Sequence, residues 1–406
     1  MQESTSGQEF TGLSIAPALF KKITKLFKTP TPIQRQAIPI AIEGKDLVGI
    51  AQTGTGKTLA FGIPMLQRLS QIKGCGLVVL PTRELAIQVD ESLRSLGADF
   101  GLRTAVLIGG TSIRPQFQAL RRKPHIIIAT PGRLNDHLQQ RTVNLTNVKI
   151  IVLDEADRML DMGFAPQLKT IFQALPAQRQ TMLFSATMPP QIMKLASTYM
   201  KLPIRIEVAP SGTIVANVIQ EIFIISRDQK NSLTKILLQK YNGPALIFTR
   251  TKHGANKLAR DIRDFGYLAA EIHSNRSLSQ RREALQGFKT GKYRVLVATD
   301  VASRGIDVLG IELVLNYDMP ENPEDYVHRI GRTARAGASG HAVTFVAPEQ
   351  KRELRDIERL VKKNLPVSKL PEGFTVHAAA YLGKRVNNYR RSSRKPKFSR
   401  RAYRRA

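Results

Sequence analysis

Ala51-Gln52-Thr53-Gly54-Thr55-Gly56-Lys57-Thr58 is the stretch that decides the fold of this 406-residue chain. It follows the apolar run at 47–50 and precedes the apolar residues 59–61, which predicts a strand, a glycine-rich turn and a helix. Gly54 and Gly56 allow backbone angles at which successive N–H groups face one point and form a concave anion site. The helix that follows adds unpaired N–H groups and the positive end of its dipole. The stretch therefore predicts a phosphate-binding turn.

The side chains of this turn supply the chemistry of a nucleoside triphosphate site. Lys57 is placed to reach the β- and γ-phosphates, and the hydroxyl of Thr58 is a ligand for Mg²⁺. Thr53 and Thr55 complete the cradle together with the two glycines. The usual pattern has a glycine where this chain has Ala51, so the match is a variant. ATP and Mg²⁺ are the predicted cofactors, and an ordinary glycine turn is the alternative.

The composition limits the class of protein. A length of 406 residues with 42% hydrophobic residues predicts two or three packed domains. No run of about eighteen apolar residues occurs, and the N-terminus lacks a basic region followed by an apolar one, so neither a membrane span nor a signal peptide is expected. The single cysteine, Cys75, excludes an intramolecular disulfide and a cysteine-rich metal site. These features are typical of a cytoplasmic protein.

Charge is the strongest signal in the composition. Lys and Arg total 62 against 32 Asp and Glu, a formal net charge of +30. Residues 378–406 contain eleven basic residues and no acidic one, with Tyr381, Tyr389, Phe398 and Tyr403 among them. This balance favours a phosphate-rich partner, and arginines interspersed with aromatics suit a disordered RNA-binding tail. A solubilising or ribosome-attracted tail is the alternative, whereas a membrane role lacks an apolar stripe beside the arginines.

Strand-like apolar runs alternate with helical stretches along both halves of the chain. This alternation predicts parallel sheets covered by helices, with ligands at the carboxyl ends of the strands. The runs are 47–50, 77–80, 104–108, 125–129, 148–153 and 181–184, and then 219–225, 245–248, 267–272, 294–298, 312–316 and 341–346. The predicted division is an ATP-binding domain at 1–207, a linker at 208–218, a second domain at 219–370 and the basic tail at 371–406.

Two further segments fit an ATP site. Asp154 follows the strand predicted at 148–153 and is expected to hold Mg²⁺, while Glu155 next to it is expected to orient or deprotonate the attacking water. Adjacent acids after a strand are common, so their significance depends on the phosphate-binding turn upstream. Gln34 lies in a loop pinned by prolines, and its amide suits the adenine edge because it can donate and accept at once.

Other loops at predicted strand ends suit contacts with sugar and phosphate. They offer hydroxyls, arginines or a close backbone approach, which bind a nucleic-acid backbone without reading the bases. These residues, all in the first half of the chain, are Pro81, Thr82, Arg83, Gly110, Thr130 and Arg133. Helix caps and turns are the alternative for each of them taken singly.

A cationic cluster lies near the end of the second half, at 328–335. Arg332 and Arg335 are three residues apart, one helical turn, so both side chains can point at the same γ-phosphate. Arginine supplied from a second domain stabilises the charge that develops in phosphoryl transfer. With Lys57 and Glu155 these are the predicted catalytic residues. A solvated basic helix face is the alternative.

Several of these stretches occur in the same order in a known family. They are Thr29-Pro-Thr-Pro-Ile-Gln34, Ala51 to Thr58, Pro81-Thr-Arg-Glu-Leu-Ala86, Thr130-Pro-Gly-Arg133, Asp154-Glu-Ala-Asp157, Ser185-Ala-Thr187, Ala298-Thr-Asp-Val-Ala-Ser-Arg-Gly-Ile-Asp307 and His328-Arg-Ile-Gly-Arg-Thr-Ala-Arg335. In this respect the chain resembles the DEAD-box ATP-dependent RNA helicases over roughly residues 10–365. The segment 320–328 and the basic tail resemble most the bacterial RhlE subfamily.

The resemblance implies two tandem RecA-like domains, each a mostly parallel sheet flanked by helices, that close on ATP and single-stranded RNA. It implies nucleotide contacts from Phe10, packed on the base, and from Gly305 and Asp307 of the second domain. The RNA path implied by the resemblance also includes Thr249, Arg250, Arg281, Thr299 and Asp300 of the second half, where Thr249 and Arg250 follow the strand predicted at 245–248. The residues implied to couple the two domains are Asp157, Ser185, Thr187 and His328.

Three positions depart from the family pattern. Leu26 stands where the adenine-binding motif usually has glycine, which is expected to alter only a turn. Ala334 replaces the usual glycine between the two arginines, and since alanine tolerates a helix better, activity is expected to persist. The element that usually reads Gln-x-x-Arg begins here with Leu278, so only Arg281 carries over as an RNA contact.

The resulting prediction is an ATP-dependent RNA helicase. RNA-stimulated ATP hydrolysis would be coupled to local, sequence-independent opening of short RNA duplexes or to remodelling of RNA–protein complexes. The predicted partner is RNA, with ribosome or RNA-decay proteins as further partners and no membrane. Two alternatives stay open: a nucleotide-gated RNA clamp or scaffold with little turnover, and a DNA-directed helicase of the same superfamily.

Overall fold

The structure is a computed structural model that describes residues 9–52, 54–208, 218–300, 308, 310–334, 339–371 and 374. The basic tail predicted at 371–406 lies outside the described residues except at its first positions, and so does the interior of the predicted linker. Within the described residues the chain forms two parallel sheets, each flanked by helices. This arrangement confirms the predicted α/β fold with two RecA-like domains.

The first sheet has seven parallel strands. In chain order the elements of this domain are α1 (Pro17–Leu26), α2 (Pro32–Ile42), β1 (Leu47–Ile50), α3 (Lys57–Gln71), β2 (Cys75–Val79), α4 (Arg83–Gly97), β3 (Thr104–Leu107), α5 (Arg114–Arg121), β4 (Ile126–Ala129), α6 (Pro131–Gln139), β5 (Val148–Leu153), α7 (Ala156–Asp161), α8 (Ala165–Gln173), β6 (Gln180–Ser185), α9 (Pro190–Tyr199) and β7 (Ile204–Glu207). Across the sheet the strands run β3-β4-β2-β5-β6-β1-β7.

The second sheet has six parallel strands. Its domain contains β8 (Val218–Ile224), α10 (Lys230–Lys240), β9 (Ala245–Phe248), α11 (Lys252–Asp264), β10 (Ala269–Ile272), α12 (Leu278–Lys289), β11 (Val295–Ala298), β12 (Leu313–Asn316), α13 (Pro323–Ile330), β13 (Gly340–Val346) and α14 (Lys351–Val361). The strand order is β10-β11-β9-β12-β13-β8.

Interior strands such as β1, β4 and β9 are apolar along their whole length because helices cover both faces of each sheet. In β1, Leu47 packs in the apolar cluster on one face, while Val48 and Ile50 belong to the cluster on the other. All four residues of β4 are buried. Proline at the first position starts α6, where its fixed φ fits the helix and its missing N–H removes no bond. The loops that carry the predicted site therefore follow rigid, buried strands.

β7 is the one described strand that the sequence analysis did not predict. It is four residues long, lies at the edge of the first sheet beside β1, and carries Arg205 and Glu207 as an exposed ion pair. Edge strands are often short and charged, because charge on an edge prevents pairing with other chains. Such a strand lacks the apolar run by which the other strands were predicted. In the part of the chain that the structure describes, no helix has both the length and the apolar character to cross a membrane.

Candidate ATP site and nucleic-acid surface

The phosphate-binding turn has the conformation that its glycines predict. Gly54 and Gly56 have φ of 84° and 88°, in the left-handed region that side chains disfavour. A Cβ at Gly56 would overlap the amide of Gln34, so this position also needs glycine for close approach. α3 begins directly after Gly56, and the buried ammonium of Lys57 donates to the carbonyl of Ala51 at 2.9 Å. The turn thus presents a helix N-terminus and a buried cation on the same side.

Two buried carboxylates face this turn. Asp154 Oδ1 lies 4.0 Å from Lys57 Nζ, and burial raises the pKa of the Asp154 carboxyl to about 6, although Lys57 opposes the shift. Glu155 has φ of 52°, a left-handed conformation rare for a non-glycine residue. Among the described residues neither carboxylate oxygen of Glu155 has a hydrogen-bond partner, and Arg158 Nε lies 3.9 Å from one of them. A strained, buried carboxylate without hydrogen bonds is typical of a functional position.

Gln34 lies in the first turn of α2 and not in the loop predicted for it, and its amide joins Thr31 to the phosphate-binding turn. Its Oε1 accepts from the N–H of Thr31 at 2.9 Å, and its Nε2 donates to the carbonyl of Gly56 at 3.0 Å. Phe10, which the resemblance placed against the base, is instead 1% exposed and packs in the apolar core of the first domain. Phe27 is the aromatic residue on the cavity, and it is 42% exposed. The expectation for Phe10 is corrected accordingly.

A cavity of about 490 Å³ between the two domains brings most of the predicted nucleotide residues together. The site residues that line it are Phe27, Gln34, Gly54, Gly56, Lys57, Thr58, Asp154, Glu155 and Arg332. Arg332 comes from the second domain and is only 3% exposed. The predicted residues Thr53, Gly305, Asp307 and Arg335 lie outside the described residues. The geometry combines phosphate-binding groups, two acids and an arginine from the opposite domain.

Arg332 does not lie in a helix, so the helical spacing predicted between Arg332 and Arg335 does not apply at Arg332. α13 ends at Ile330, and Ala334 has φ of 54°. The expectation that alanine suits this position because it favours a helix is therefore wrong for the local backbone. The left-handed conformation explains instead why glycine is the residue that fits here without strain.

The residues predicted for RNA in the first domain follow β2, β3 and β4. Gly110 has φ of 71°, and a Cβ there would overlap the guanidinium of Arg83. Burial, with the nearby charge of Arg281 and Arg133, lowers the pKa of Arg83 although Glu84 opposes the shift. The three arginines make this edge of the sheet basic, although Arg281 and Arg133 each lie within 3.3 Å of a carboxylate.

Two of the predicted RNA residues are the N-cap residues that directly precede a helix. Thr82 precedes α4, and its hydroxyl accepts from the N–H of Leu85 at 3.3 Å. Thr130 precedes α6 and is buried, as are Pro81 and its neighbour Thr82. The cap interpretation therefore holds for Thr82, and contact with a ligand at these positions would come mainly from the backbone.

In the second domain the predicted RNA residues are engaged with other protein groups. The side chain of Thr249 is fully buried, and the N–H of Arg250 donates to Asp318 at 3.1 Å. Asp300 accepts two hydrogen bonds from the guanidinium of Arg329, at 2.6 and 2.7 Å. The remaining predicted residue, Thr299, follows β11 with its backbone N–H bonded to Ile272.

Arg281 does not lie free on an RNA surface. Its Nη2 donates to Glu84 Oε2 of the first domain at 2.8 Å, and both side chains are buried. Glu84 was not predicted as a site residue, although it lies in the stretch 81–86 that the sequence analysis quoted. The ion pair ties the start of α12 to the start of α4, across the boundary between the domains.

The residues predicted to couple the domains lie around a second cavity. Asp157 Oδ2 accepts from the N–H groups of Ala186 and Thr187 and from the Thr187 hydroxyl at 2.9–3.0 Å. The hydroxyl of Ser185 accepts from the N–H of Asp157 at 3.3 Å. Asp157, Thr187 and His328 line a common cavity of about 690 Å³. The loop after β5 is thus linked to the loop after β6 and faces α13.

Comparison with known proteins gives the family. Residues 31–195 match the family model described as DEAD/DEAH box helicase, and residues 228–337 match that described as helicase conserved C-terminal domain. The chain is 43% identical over 367 residues to the DEAD-box ATP-dependent RNA helicase CshA of Bacillus subtilis, which covers 89% of this chain and 74% of that protein. This chain belongs to the DEAD-box ATP-dependent RNA helicases.

Solved structures of helicases have the same arrangement of both domains. The structure of S. cerevisiae Dbp5 bound to RNA and ADP BeF3 gives a TM-score of 0.81 at 28% identity, over 89% of this chain and 95% of that one. Mss116p bound to single-stranded RNA and AMP-PNP gives 0.81 at 29% identity, over 91% and 80%. Because each superposition includes both sheets, the two domains described here have the relative placement found in those two complexes.

Proposed function

We propose that this chain hydrolyses ATP in the cavity between its domains, that RNA stimulates the reaction, and that closure opens short RNA duplexes locally or removes bound protein. The observation that supports this most is the cavity itself, which joins Lys57 and Glu155 of the first domain to Arg332 of the second. ATP and RNA each favour the closed arrangement, so each strengthens binding of the other by reciprocal coupling.

The proposed mechanism assigns one task to each group. The N–H groups of the turn and Lys57 bind the β- and γ-phosphates, while Gln34 binds the adenine edge. Glu155 orients the attacking water and takes its proton. The water oxygen bonds to the γ-phosphorus as the bond from that phosphorus to the bridging oxygen breaks, so that ADP and phosphate leave. Arg332, with Arg335, stabilises the charge on the phosphate as the bond breaks.

Thr58 and Asp154 are the residues proposed to hold Mg²⁺. Their surroundings fit a cation, because the buried carboxylates of Asp154 and Glu155 lie side by side and, within the described part of the chain, that of Glu155 has no hydrogen-bond partner. When bound, the ion neutralises charge on the β- and γ-phosphates. The chain's own contribution is to place both carboxylates on rigid backbone at the end of β5.

RNA is proposed to cross the carboxyl edges of both sheets. Arg83, Arg133 and Arg250 supply cations there, and the backbone near Gly110 gives close approach to phosphate and sugar. Contacts of this kind predict little sequence preference and a steep dependence of affinity on salt. The tail proposed at 371–406 would add unspecific RNA contacts. Ribosome or RNA-decay proteins are the proposed further partners, and the cytoplasm the proposed location.

The finer assignments are also proposals. The boundaries at 207 and 218 are supported by β7, which ends at Glu207, and by β8, which begins at Val218, while the boundary at 370 is proposed from the basic composition of the tail. An RhlE-like subfamily is proposed from the segment 320–328 and the basic tail, whereas the Bacillus subtilis relative reported above carries the name CshA. A clamp with little turnover, or a DNA-directed helicase, is the alternative that the following experiment separates.

The test is steady-state phosphate release from ATP, alone and with single-stranded RNA or DNA, for the wild type and Glu155→Gln. Glutamine keeps the size of the side chain but cannot take a proton, so turnover should fall about 100-fold or more while RNA binding with ATP persists. Glu43→Gln, an exposed carboxylate in the same domain, is the matched control. Near-wild-type turnover in Glu155→Gln would refute the assignment, and equal stimulation by DNA would favour the DNA-directed alternative.

A further inference from the structure

An apolar side chain of the second domain packs against the core of the first. Leu278 is the first residue of α12, and it is partly buried against the apolar cluster that contains Ile108. It lines a cavity of about 370 Å³ with Ile87, Val106 and Ile108, which come from α4 and from β3 and the loop after it. Arg282 is the other residue of the second domain that contributes to this lining.

The start of α12 holds Leu278 in a fixed position. The hydroxyl of Ser277 accepts from the N–H of Gln280 at 3.2 Å, and the side chain of Gln280 accepts from the N–H of Ser277 at 3.0 Å. This reciprocal capping box fixes the first turn of the helix. Residues three apart on a helix share a face, so Leu278 and Arg281 both point toward α4.

The facing surface of α4 is complementary to this pair. Glu84 and Ile87 are likewise three residues apart, and Glu84 forms the buried 2.8 Å ion pair with Arg281. Ile87 and Leu278 line the same cavity. An apolar pair thus lies beside a charged pair, and both exist only when the two domains are in contact.

We propose that Leu278 is a positioning residue that holds the domains in the closed arrangement by burying its side chain against the first domain. The proposal rests on the helicase function proposed above. The family usually has glutamine at this position, and the resemblance places that element on RNA. A leucine gains free energy from burial only in the closed state, so it shifts the equilibrium toward closure without touching RNA.

The decisive comparison is Leu278→Gln and Leu278→Ala against Leu278→Met, with Leu268→Gln as the matched control because Leu268 is 66% exposed in the same domain. The RNA concentration that gives half-maximal ATPase stimulation should rise about threefold to tenfold in the Gln and Ala variants. It should stay within about twofold in the Met and control variants, since methionine keeps the apolar volume. Turnover at saturating RNA and the thermal midpoint should change little.

Compaction measured by small-angle X-ray scattering, with a non-hydrolysable ATP analogue and RNA, tests the same proposal independently of turnover. Leu278→Gln should need more RNA than the wild type to reach the compact state. A Gln variant that binds RNA more tightly would overturn the proposal, since position 278 would then face RNA, and so would an unchanged compaction curve. If the wild type compacts but RNA does not stimulate its ATPase, the proposed function is refuted. The comparison of the compaction curves would still decide whether Leu278 favours the closed arrangement.

Discussion

The amide of Gln34 connects Thr31 to the phosphate-binding turn, and the same side chain lines the cavity between the domains. Its oxygen accepts from Thr31 and its nitrogen donates to the carbonyl of Gly56, so the bond pattern requires both ends of an amide. The close approach of this side chain to Gly56 also explains why a Cβ is excluded there. The start of α2 and the phosphate-binding turn are therefore positioned by one another.

We predict that Gln34→Glu weakens ATP binding about tenfold, because a carboxylate accepts from Thr31 but cannot donate to the carbonyl of Gly56. The negative charge would also lie beside the phosphate-binding turn. The apparent KM for ATP at saturating RNA is the measurement. Gln36→Glu is the control, since Gln36 lies two residues away on the same helix and is exposed. Equal effects of the two substitutions would mean that added charge alone, and not the lost donor, is responsible.

Lys57, Asp154 and Glu155 line one cavity, and local sequence explains where each of them lies. Asp154 and Glu155 come directly after β5, and Lys57 begins the helix that follows the glycine turn after β1. Phe10 was assigned to the base through the resemblance, but nothing in its own spacing distinguishes a base contact from a core residue. Its burial in the core, with Phe27 on the cavity instead, depends on how α1 packs.

Helix α6 shows how an element that carries predicted RNA residues is anchored. His137 is fully buried in this helix, where Nδ1 lies 2.8 Å from the Thr142 hydroxyl and Nε2 lies 3.2 Å from Gln116 Oε1. Because Gln116 presents an oxygen, Nε2 carries the hydrogen. The bond connects α6 to α5, whose preceding loop contains Gly110. Burial, and then the charge of Arg133, lowers the pKa of His137 below its ordinary value of 6.5.

We predict that acidification destabilises the first domain through His137. With its pKa lowered in the folded state, the imidazole is neutral there, while the unfolded chain takes up a proton below about pH 6.5. Its contribution to stability is therefore present above about pH 6.5 and lost as the pH falls toward the folded pKa. The free energy of unfolding of His137→Asn should decline less between pH 7 and pH 5 than that of the wild type, by up to about 1.4 kcal/mol per pH unit.

The same variant at pH 8 is the internal control, because both side chains are then uncharged. There the substitution should cost about 1–3 kcal/mol through altered packing and hydrogen bonds. Parallel pH curves for variant and wild type would show that His137 does not account for acid sensitivity.

The strands and helices were predictable because burial on two faces leaves an unmistakable apolar run. β1, β5 and β9 begin and end at the predicted residues, 47–50, 148–153 and 245–248. β7 was missed since an edge strand with Arg205 and Glu207 lacks such a run. The apolar pattern of one element does not predict which residues of another domain its side chains contact.

At the scale of the whole molecule, the contact between α12 and α4 is the feature that sequence reasoning did not foresee. Glu84 and Arg281 are 197 residues apart, and no local periodicity connects them. Arg281 was expected on RNA, whereas the structure pairs its guanidinium with Glu84. The charges of Arg281 and Arg133 both act on Arg83, so the ion pair lies at the edge of a basic part of the surface.

A double-mutant cycle on Glu84 and Arg281 distinguishes a domain contact from an RNA contact. If the pair acts by joining the domains, Glu84→Gln and Arg281→Gln should each lower kcat/KM for RNA about tenfold or more, since each leaves a buried charge unpaired. The double variant should then lose about as much as one single variant, with a coupling energy of about 1–3 kcal/mol. Arg282→Gln, an exposed neighbour on α12, should stay within about twofold. If Arg281 instead binds RNA directly, the losses in the double variant should multiply, and only Arg281→Gln should reduce the salt dependence of RNA binding, because only that substitution removes a phosphate contact.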